Sequence, residues 1–404
     1  LKSSGGYASY TYSLCKVLKK MGHDVIIIAI SNIAGIEDSE IGKIYTVKSS
    51  FLPSKSATSI TGLFFLWSQI IDKKLQNLIK NYDDDCIIYG IGPWGYSAIN
   101  SRKRFSNKVR LISIFFTTAY DETYWLMRGA SIQDYGLFLK IKYSIIHYYA
   151  KYVLTKFERT AFKKSDQTVV HYEFAKQTLI NQYQINSDKI SKISYYAEIY
   201  DKISLYSKYD KSLKSNSNPQ KNKSTISCIS ICRQEPRKGI NYFIRAIKIL
   251  KDNQFPIRAK IVGSGDLLEK NMKLAKKLKL DDTIEFTGFV QNISDVLSES
   301  DIFIQPSLQE GSGSISVFEA MLSGVPVITT TCDGLPEDIE NNFSGILIPP
   351  MNSESLAKAI MNLSTNNELI NRLISNGIKT VEEKLDIDKM IEGLILLHNK
   401  IWTK

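Results

Sequence analysis

The chain has 404 residues, of which 43% are apolar and 23% are charged, and this composition is typical of a globular protein. A chain of this length predicts two to three domains of roughly 150 residues each. No run of about 18 uncharged apolar residues occurs, so no transmembrane helix is predicted.

The net charge of +11 is unevenly distributed along the chain. Residues 1–215 hold 30 Lys and Arg against 18 Asp and Glu, whereas residues 216–404 hold 22 against 23. This excess reflects either solvated helix faces or a first half that meets an anionic partner, such as a membrane surface or an acidic glycan. The sequence contains no recognised nucleic-acid-binding motif, so we expect no nucleic acid partner.

Five scattered cysteines, an odd number, favour a reduced, cytoplasmic setting over a disulfide scaffold. Cys228 and Cys232 have C-x3-C spacing, but no second Cys or His pair accompanies them. We therefore predict core or half-buried side chains there and no metal site.

The first half of the chain alternates helix and strand signals. It begins with Leu and a Gly-Gly loop that opens a helix, and because such loops usually follow a strand, we expect the sequence to be incomplete at its N terminus. A helix is predicted over residues 8–21 and a long helical stretch around 135–164. Apolar runs predict strands at 25–30, 85–89, 110–116 and 167–171, and this alternation implies a parallel sheet covered on both faces.

Residues 207–224 are rich in Ser, Asn and Lys and contain almost no large apolar residue, which indicates a domain boundary. We therefore expect an N-terminal domain at 1–215 and a C-terminal domain at 216–385. In the second half, strands are predicted at 226–231, 259–262, 283–286, 302–305, 325–329 and 345–348, with helices between them. The expected fold class is α/β, with two Rossmann-like, doubly wound domains that face each other across a cleft.

The loops at the carboxyl ends of the second-domain strands carry the candidate functional residues. Arg233 and Lys238 precede a helix that opens at Gly239, and two cations at a helix N-terminus are suited to a diphosphate, although solvated loop charge is the alternative. Gly263, in the sequence GSGD, permits either close backbone approach to a ligand or a plain tight turn.

The stretch EGSGSISVFE places Glu310 and Glu319 around a loop that runs into a helix. Gly311 and Gly313, on either side of Ser312, let the backbone amides of this loop approach phosphate before the helix begins. A carboxylate can accept paired hydrogen bonds from sugar hydroxyls or a ribose diol. Acidic residues that complement a helix dipole explain the pattern about as well.

Taken together and in this order, these motifs resemble glycosyltransferase family 4 of the retaining GT-B enzymes. The resemblance rests on R-x4-K-G, VGSGD, FTGFV and PSLQEGSGSISVFEAMLSGVPVI in the second half. In the first half it rests on GGYASYTYSLCKVLKKMGHDV and AFKKSDQTVVHYEFAKQTLINQYQINSDKI. The similarity covers nearly the whole chain, and it implies a GT-B fold whose final helix, within residues 386–404, crosses back to the N-domain.

The resemblance also implies roles for individual residues. Glu310 would contact the transferred sugar and Glu319 the nucleotide ribose, while Arg233 and Lys238 would hold the donor diphosphate. The other implied donor-binding residues are Gly6, Gly263, Val290, Gly311 and Ser312. Gly6 would lie close to the donor phosphates, and the backbone at Val290 would meet the base.

The function implied by the resemblance is a metal-independent, retaining transfer of a hexose from a nucleotide diphosphate sugar to a glycan or lipid-linked acceptor. No cofactor is expected, because cations and helix dipoles can stabilise the departing diphosphate. The alternatives are an inactive sugar-nucleotide or glycan-binding module of the same fold, and a sugar-nucleotide epimerase, which would need a general acid/base set.

Two departures from the family pattern bear on these expectations. Eight residues separate Glu310 from Glu319, where the family has seven. Many members carry a His after the strand predicted at 110–116, whereas Thr117, Thr118 and Asp121 stand here, either as polar site residues or as loop and cap residues.

The basic and aromatic stretch 140–164 is the remaining candidate surface. It is either a core helix with a solvated basic edge or a helix that lies on a membrane surface. The second reading predicts a peripheral protein at the inner face of the cell membrane.

Overall fold

The structure is a computed structural model, and it describes residues 6–31, 33–48, 64–197, 199 and 225–403. Within these ranges the chain divides into two compact units. The first unit comprises the described residues among 1–123, 145–198 and 385–404, and the second comprises the described residues among 124–144 and 199–384. The predicted linker at 207–224 lies outside the described residues.

The described strands are β1 (Ile26–Ser31), β2 (Gly35–Ser39), β3 (Gly42–Lys48), β4 (Cys86–Ile91), β5 (Val109–Ile114), β6 (Gln167–Val170), β7 (Ile190–Lys192), β8 (Ile226–Ile231), β9 (Ile257–Val262), β10 (Ile284–Gly288), β11 (Ile302–Gln305), β12 (Val327–Thr330) and β13 (Ile346–Ile348).

The described helices are α1 (Gly6–Lys20), α2 (Phe64–Lys80), α3 (Ile99–Arg104), α4 (Ala119–Gly129), α5 (Ile132–Tyr135), α6 (Leu137–Tyr149), α7 (Thr155–Lys164), α8 (Glu173–Tyr183), α9 (Ile240–Asp252), α10 (Leu268–Lys277), α11 (Ile293–Ser298), α12 (Ile315–Leu322), α13 (Leu335–Asp338), α14 (Ser353–Ser364), α15 (Asn367–Lys384) and α16 (Ile387–Trp402).

The first unit contains two sheets among its described residues. Strands β4, β5, β6 and β7 form a parallel sheet in that order. Strand β3 pairs in parallel with β1 and antiparallel with β2 in the other sheet. The four strands predicted for this half are present within two residues of their expected ends, whereas β2, β3 and β7 were not predicted. The first of these has the sequence GIEDS and is almost entirely exposed, so it carries no buried apolar run to signal it.

The second unit is built on one six-stranded parallel sheet with the order β10-β9-β8-β11-β12-β13. All six strands were predicted from short apolar runs, and β11 and β12 are buried throughout, as expected for central strands of a parallel sheet, whereas the edge strands β10 and β13 are only partly buried. Helix α9 shows why the helices pack as they do. Its buried side chains recur at helical spacing on the face that joins the core, and they are Ile240, Phe243, Ile244, Ile247 and Leu250.

The last helix, α16, packs in the first unit. Asp386 caps its N-terminus by accepting a hydrogen bond of 2.9 Å from the amide of Asp388. Its buried face shares one apolar cluster with α1 and β5, and the members from α16 are Met390, Leu394, Leu397 and Ile401.

Residues 124–144 pack in the second unit, whereas the sequence assigns them to the domain at 1–215. Asp134 of α5 forms an ion pair with Arg245 of α9 and accepts a hydrogen bond of 3.0 Å from Asn241. Gly129 ends α4 so close to the loop after β8 that a Cβ there would lie 2.4 Å from the carbonyl oxygen of Pro236. These contacts join residues distant in sequence, which is why the sequence pattern does not reveal them.

No helix among the described residues is long and apolar enough to cross a membrane.

Candidate functional site

The candidate residues of the second unit lie in loops that follow β8, β9, β10 and β11, except for Glu319, which lies on α12. Because all strands of this sheet are parallel, these loops emerge at one edge, the edge where α/β sheets bind ligands. Strands β8 and β11 are neighbours in the sheet, so the loop with Lys238 lies beside the loop with Glu310.

Lys238 and Glu310 form a buried ion pair at this edge. The ammonium of Lys238 lies 2.6 Å from each carboxylate oxygen of Glu310, and the two side chains are 11% and 4% exposed. A short helical turn, Pro236–Lys238, presents the lysine, and it ends at Gly239 with a φ of 65°. A side chain at Gly239 would place its Cβ 2.1 Å from the carbonyl oxygen of Pro306, so the close approach of the two loops requires glycine.

Glu310 is held by further polar groups. Ser307 donates a hydrogen bond to its carboxylate, and the amide of Gln305 donates another at 2.5 Å. Burial alone would raise the pKa of Glu310, but the cations of Lys238 and Arg237 outweigh it, so the pKa lies below its ordinary value. Glu310 is therefore an anion fixed in place, with little freedom to act as a proton donor.

The loop after β8 also carries two arginines. Arg233 lies 3.0 Å from Glu235, and its side chain is 40% exposed. Arg237 is buried, contacts the other oxygen of Glu235 at 3.3 Å, and donates a hydrogen bond of 3.2 Å to the carbonyl oxygen of Gln309. Arg233 is thus the more solvent-facing cation, whereas Arg237 ties the loop after β8 to the loop after β11.

Gly263 joins two loops by close packing. Its φ is 116°, and a Cβ would lie 2.0 Å from the carbonyl oxygen of Cys232. Its amide donates a hydrogen bond of 2.7 Å to Gly288 at the end of β10. The next loop carries Phe289, which is 67% exposed, and Val290, which is half-buried.

Gly311 and Ser312 belong to the loop that leads into α12. The amides of Glu310 and Gly311 donate to one carboxylate oxygen of Asp333, at 2.9 and 2.7 Å. The Gly311 amide, expected to face phosphate, is thus already satisfied by Asp333. Ser312 is buried, and the side chain of Ser314, the N-cap residue of α12, makes no capping hydrogen bond, so the first amides of this helix are suited to an anion.

Glu319 lies on α12 and is half-buried. Burial raises its pKa to about 7. Among the described residues its carboxyl group has no hydrogen-bond or ion-pair partner, which distinguishes it from Glu310. The two glutamates therefore differ in character: one is neutralised by a lysine, and the other is a carboxyl group close to its titration point at neutral pH.

The first unit contains Gly6 and the residues that stand in place of the family histidine. Gly6 is the exposed first residue of α1, and apart from its chain neighbours and its own helix backbone no atom of the described residues lies within 4 Å of the place where its Cβ would be. Thr118 caps α4, because its hydroxyl accepts from the amide of Asp121 and donates to the Asp121 carboxylate, both at 2.8 Å. Glu158 accepts from the amide of Ala119 at 3.0 Å. The cap interpretation therefore accounts for the contact between Thr118 and Asp121, and Asp121 also accepts a hydrogen bond of 3.2 Å from Gln182.

Sequence reasoning missed four residues that build the site: Arg237, Gln305, Ser307 and Asp333. Each follows or ends a strand at the same edge of the sheet, and that placement was the signal available in the sequence. Asp333 also needs a left-handed backbone, with a φ of 47°, which the sequence CDG does not specify. No three His, Cys, Asp or Glu side chains converge as metal ligands in the part of the chain that the structure describes.

Known proteins resemble both halves of the chain. Residues 4–194 match the profile of "Glycosyltransferase Family 4", and residues 211–380 match that of "Glycosyl transferases group 1". The amylovoran biosynthesis glycosyltransferase AmsK of Erwinia amylovora is 35% identical over 144 residues, which cover 34% of this chain and 35% of the relative.

An Escherichia coli relative, UDP-Gal:alpha-D-GlcNAc-diphosphoundecaprenol alpha-1,3-galactosyltransferase, is 29% identical over 168 residues, which cover 39% of this chain and 41% of that protein. The chain thus spans less than half the length of these two relatives.

The fold is shared with a solved structure, that of Anabaena HepE in complex with UDP and glucose. The TM-score is 0.69, the sequence identity is 16%, and the alignment covers 98% of each chain. Since the profiles match both halves and the fold agrees along the whole length, the chain belongs to the family 4 group of GT-B glycosyltransferases.

Proposed function

We propose that the protein is a retaining glycosyltransferase that moves a hexose from a nucleotide diphosphate sugar to a glycan or a lipid-linked acceptor. The observation that carries this proposal is the buried pair of Lys238 and Glu310 at the carboxyl edge of the second sheet, beside the uncapped N-terminus of α12. Retention of configuration rests on the resemblance to family 4.

The site offers a positively charged place for a leaving diphosphate. Arg233 and Lys238 supply cations, and the first amides of α12 supply donors that need no reorganisation. Glu310, fixed by its partners, would accept hydrogen bonds from the transferred sugar. Glu319, whose carboxyl group is not engaged by the described residues, would accept hydrogen bonds from the ribose hydroxyls.

Relatives support the substrate classes. The Escherichia coli relative is named for a UDP-galactose donor and a lipid-linked acceptor, and the HepE structure contains UDP and glucose. UDP-hexoses are therefore the first donors to test. We further propose that no metal or cofactor takes part, because the cations and α12 can carry the phosphate charge; full transfer activity in the presence of EDTA is the expected result.

We propose that the protein acts while bound to a membrane surface. One face of α6 and the following turn exposes Phe138, Ile141, Ile145, Tyr148 and Tyr152, with Phe138 82% exposed. These five side chains, which we call the α6 face, are spaced by three and four residues and so project on one side. From residue 137 to residue 157 the sequence has four lysines and no acidic residue; Lys142 pairs with Asp266 and Lys140 donates to the carbonyl oxygen of Met127, so Lys151 and Lys156 are the charges that suit an anionic bilayer at the cytoplasmic side.

The test is a panel of UDP-, GDP- and ADP-hexoses in thermal unfolding, followed by product analysis with the sugar that binds. A donor at a hundred times its dissociation constant should add about 2.7 kcal/mol of stability. Transfer to an added glycan or lipid-linked acceptor is the expected result. Binding without transfer or hydrolysis would favour the inactive module, and an epimerised sugar recovered from the donor would favour the epimerase.

A further inference from the structure

A chain of buried hydrogen bonds connects α5 to the loops around the proposed diphosphate site. The hydroxyl of Tyr135 donates to Asn271 Oδ1 at 2.9 Å, Asn271 Nδ2 donates to Gln234 Oε1 at 2.8 Å, and Gln234 Nε2 donates to the carbonyl oxygen of Gly263 at 3.0 Å. Tyr135 is 4% exposed, and Asn271 and Gln234 are fully buried. We call this chain the Tyr135 relay.

The relay ends between two loops of the site. The amide of Gln234 donates to Ser264 at 2.9 Å, and the amide of Leu267 donates to the carbonyl oxygen of Gln234 at 2.9 Å. Gln234 is thus fixed by its side chain and its backbone to the loop after β9. Gln234 directly follows Arg233 and precedes Lys238 in the same loop. Its position therefore fixes the backbone from which these two cationic side chains extend.

The relay has one direction in which every group is satisfied. The Gly263 carbonyl oxygen can only accept, so the Gln234 nitrogen must face it; the Gln234 oxygen then accepts from the Asn271 nitrogen, and the Asn271 oxygen accepts from the Tyr135 hydroxyl. Flipping either amide, or both, would set two acceptors against each other in a buried place, which is costly. Apolar side chains would fill the same space without defining a direction.

The first member is itself firmly held. Asp134, beside Tyr135 on α5, pairs with Arg245 and accepts from Asn241 at 3.0 Å. Lys270 donates a hydrogen bond of 2.7 Å to the carbonyl oxygen of Tyr135. The start of the relay is therefore anchored by contacts that do not involve the loops.

We propose that Tyr135, Asn271 and Gln234 are positioning residues that hold the loop of Arg233 and Lys238 in the geometry that binds a nucleotide diphosphate. The proposal rests on the proposed function for its ligand, but its structural part, the ordering of the loop, does not. The segment 124–144 thus contributes to donor binding without contacting the donor.

The first test uses Tyr135→Phe and Asn271→Leu, with Gln133→Ala as the matched control, because Gln133 lies on the same helix, α5, but is exposed and takes no part in the relay or in its anchoring contacts. Hydrogen exchange is followed at the amides of Gln234 and Leu267. Both relay variants should exchange faster at these amides, and the control should exchange as the wild type does. Unchanged exchange in the relay variants, or equal acceleration in the control, would overturn the proposal.

The second test measures UDP, GDP and ADP affinity by calorimetry. Each relay variant should bind the preferred nucleotide about threefold to tenfold more weakly, and the double variant should bind no more weakly than Asn271→Leu, since both changes break one chain. Additive losses would contradict a relay. If the wild type binds no nucleotide, the proposed function fails, while the exchange experiment still decides whether the relay orders the loop.

Discussion

The ion pair of Lys238 and Glu310 contributes both to the stability of the second unit and to the proposed binding of the donor. Removing one partner of a buried ion pair leaves an uncompensated charge, which typically costs about 3 kcal/mol or more. Arg237, Ser307 and Gln305 remain near Glu310 and reduce that cost. A loss of activity in a variant of this pair is therefore ambiguous until stability is measured alongside it.

We expect Lys238→Ala to abolish nucleotide binding and to lower the free energy of unfolding by about 3 kcal/mol. The double variant Lys238→Ala/Glu310→Gln should recover most of that stability and still not bind, because the buried carboxylate is gone but the phosphate cation is missing. Arg233→Ala is the control for stability: its side chain is 40% exposed and its partner Glu235 keeps the contact with Arg237, so the change should cost under about 1 kcal/mol. Denaturant unfolding and calorimetry check these values, and a double variant that binds nucleotide would contradict the role of Lys238.

Glu319 predicts a pH dependence. Burial raises its pKa to about 7, whereas an unfolded chain releases that proton near pH 4.3. The folded state thus binds the proton more tightly, and the stability it gains at low pH is lost as the pH rises through about 7. Glu319→Gln should therefore stabilise the protein by up to about 3 kcal/mol at pH 8 and change little at pH 4.

Donor affinity should depend on the ionisation of Glu319 in the opposite direction, increasing with pH over the range in which stability decreases. An ionised Glu319 is the better acceptor for ribose hydroxyls, so donor affinity in the wild type should increase from about pH 6 to about pH 8. Titrations of Glu319→Gln should give a weaker affinity without this increase. An affinity that rises equally in the variant would assign the pH dependence to another group.

At the scale of elements, the α6 face predicts membrane binding that depends on apolar side chains. Phe138→Ser and Ile145→Ser should each weaken sedimentation with vesicles of mixed anionic and neutral lipid by about tenfold, since each side chain would lose its burial in the bilayer boundary. Leu396→Ser on α16 is the control, because Leu396 is 71% exposed but lies outside the α6 face. Equal binding by all variants would remove α6 from the membrane proposal.

The same scale shows what the sequence could predict. Buried runs rich in Ile and Val, such as those of β11 and β12, mark their strands directly, because a parallel strand covered on both faces is largely apolar. Strand β2 is exposed and polar, and so gives no such signal. Glu310 and Lys238 were recognised from local motifs, whereas Asp333 and Asn271 act through neighbours on other strands and helices, and only the fold brings those together.

At the scale of the whole molecule, two segments pack in a different unit from the residues next to them in the sequence. Residues 124–144 belong to the second unit, although they come from the first half of the sequence. The last helix, α16, belongs to the first unit, although it follows the second. Each unit is therefore built from separated parts of the chain. A substitution near the C-terminus should therefore change the stability of residues near the N-terminus.

Leu394→Ala tests this arrangement. Leu394 is 1% exposed within the apolar cluster that also contains Tyr10 and Leu14 of α1, so its removal should destabilise the first unit by about 2–5 kcal/mol. Leu396→Ala, on the same helix but exposed, should have an effect within about 0.5 kcal/mol.

Hydrogen exchange separates the two units in this experiment. In Leu394→Ala, amides of α1 and β5 should exchange faster, and those of β8 and β11 should stay as in the wild type, because these strands draw on a separate core. Equally faster exchange in β8 and β11 would mean that the two units unfold together in one cooperative transition. The stabilities of the two units would then not be independent.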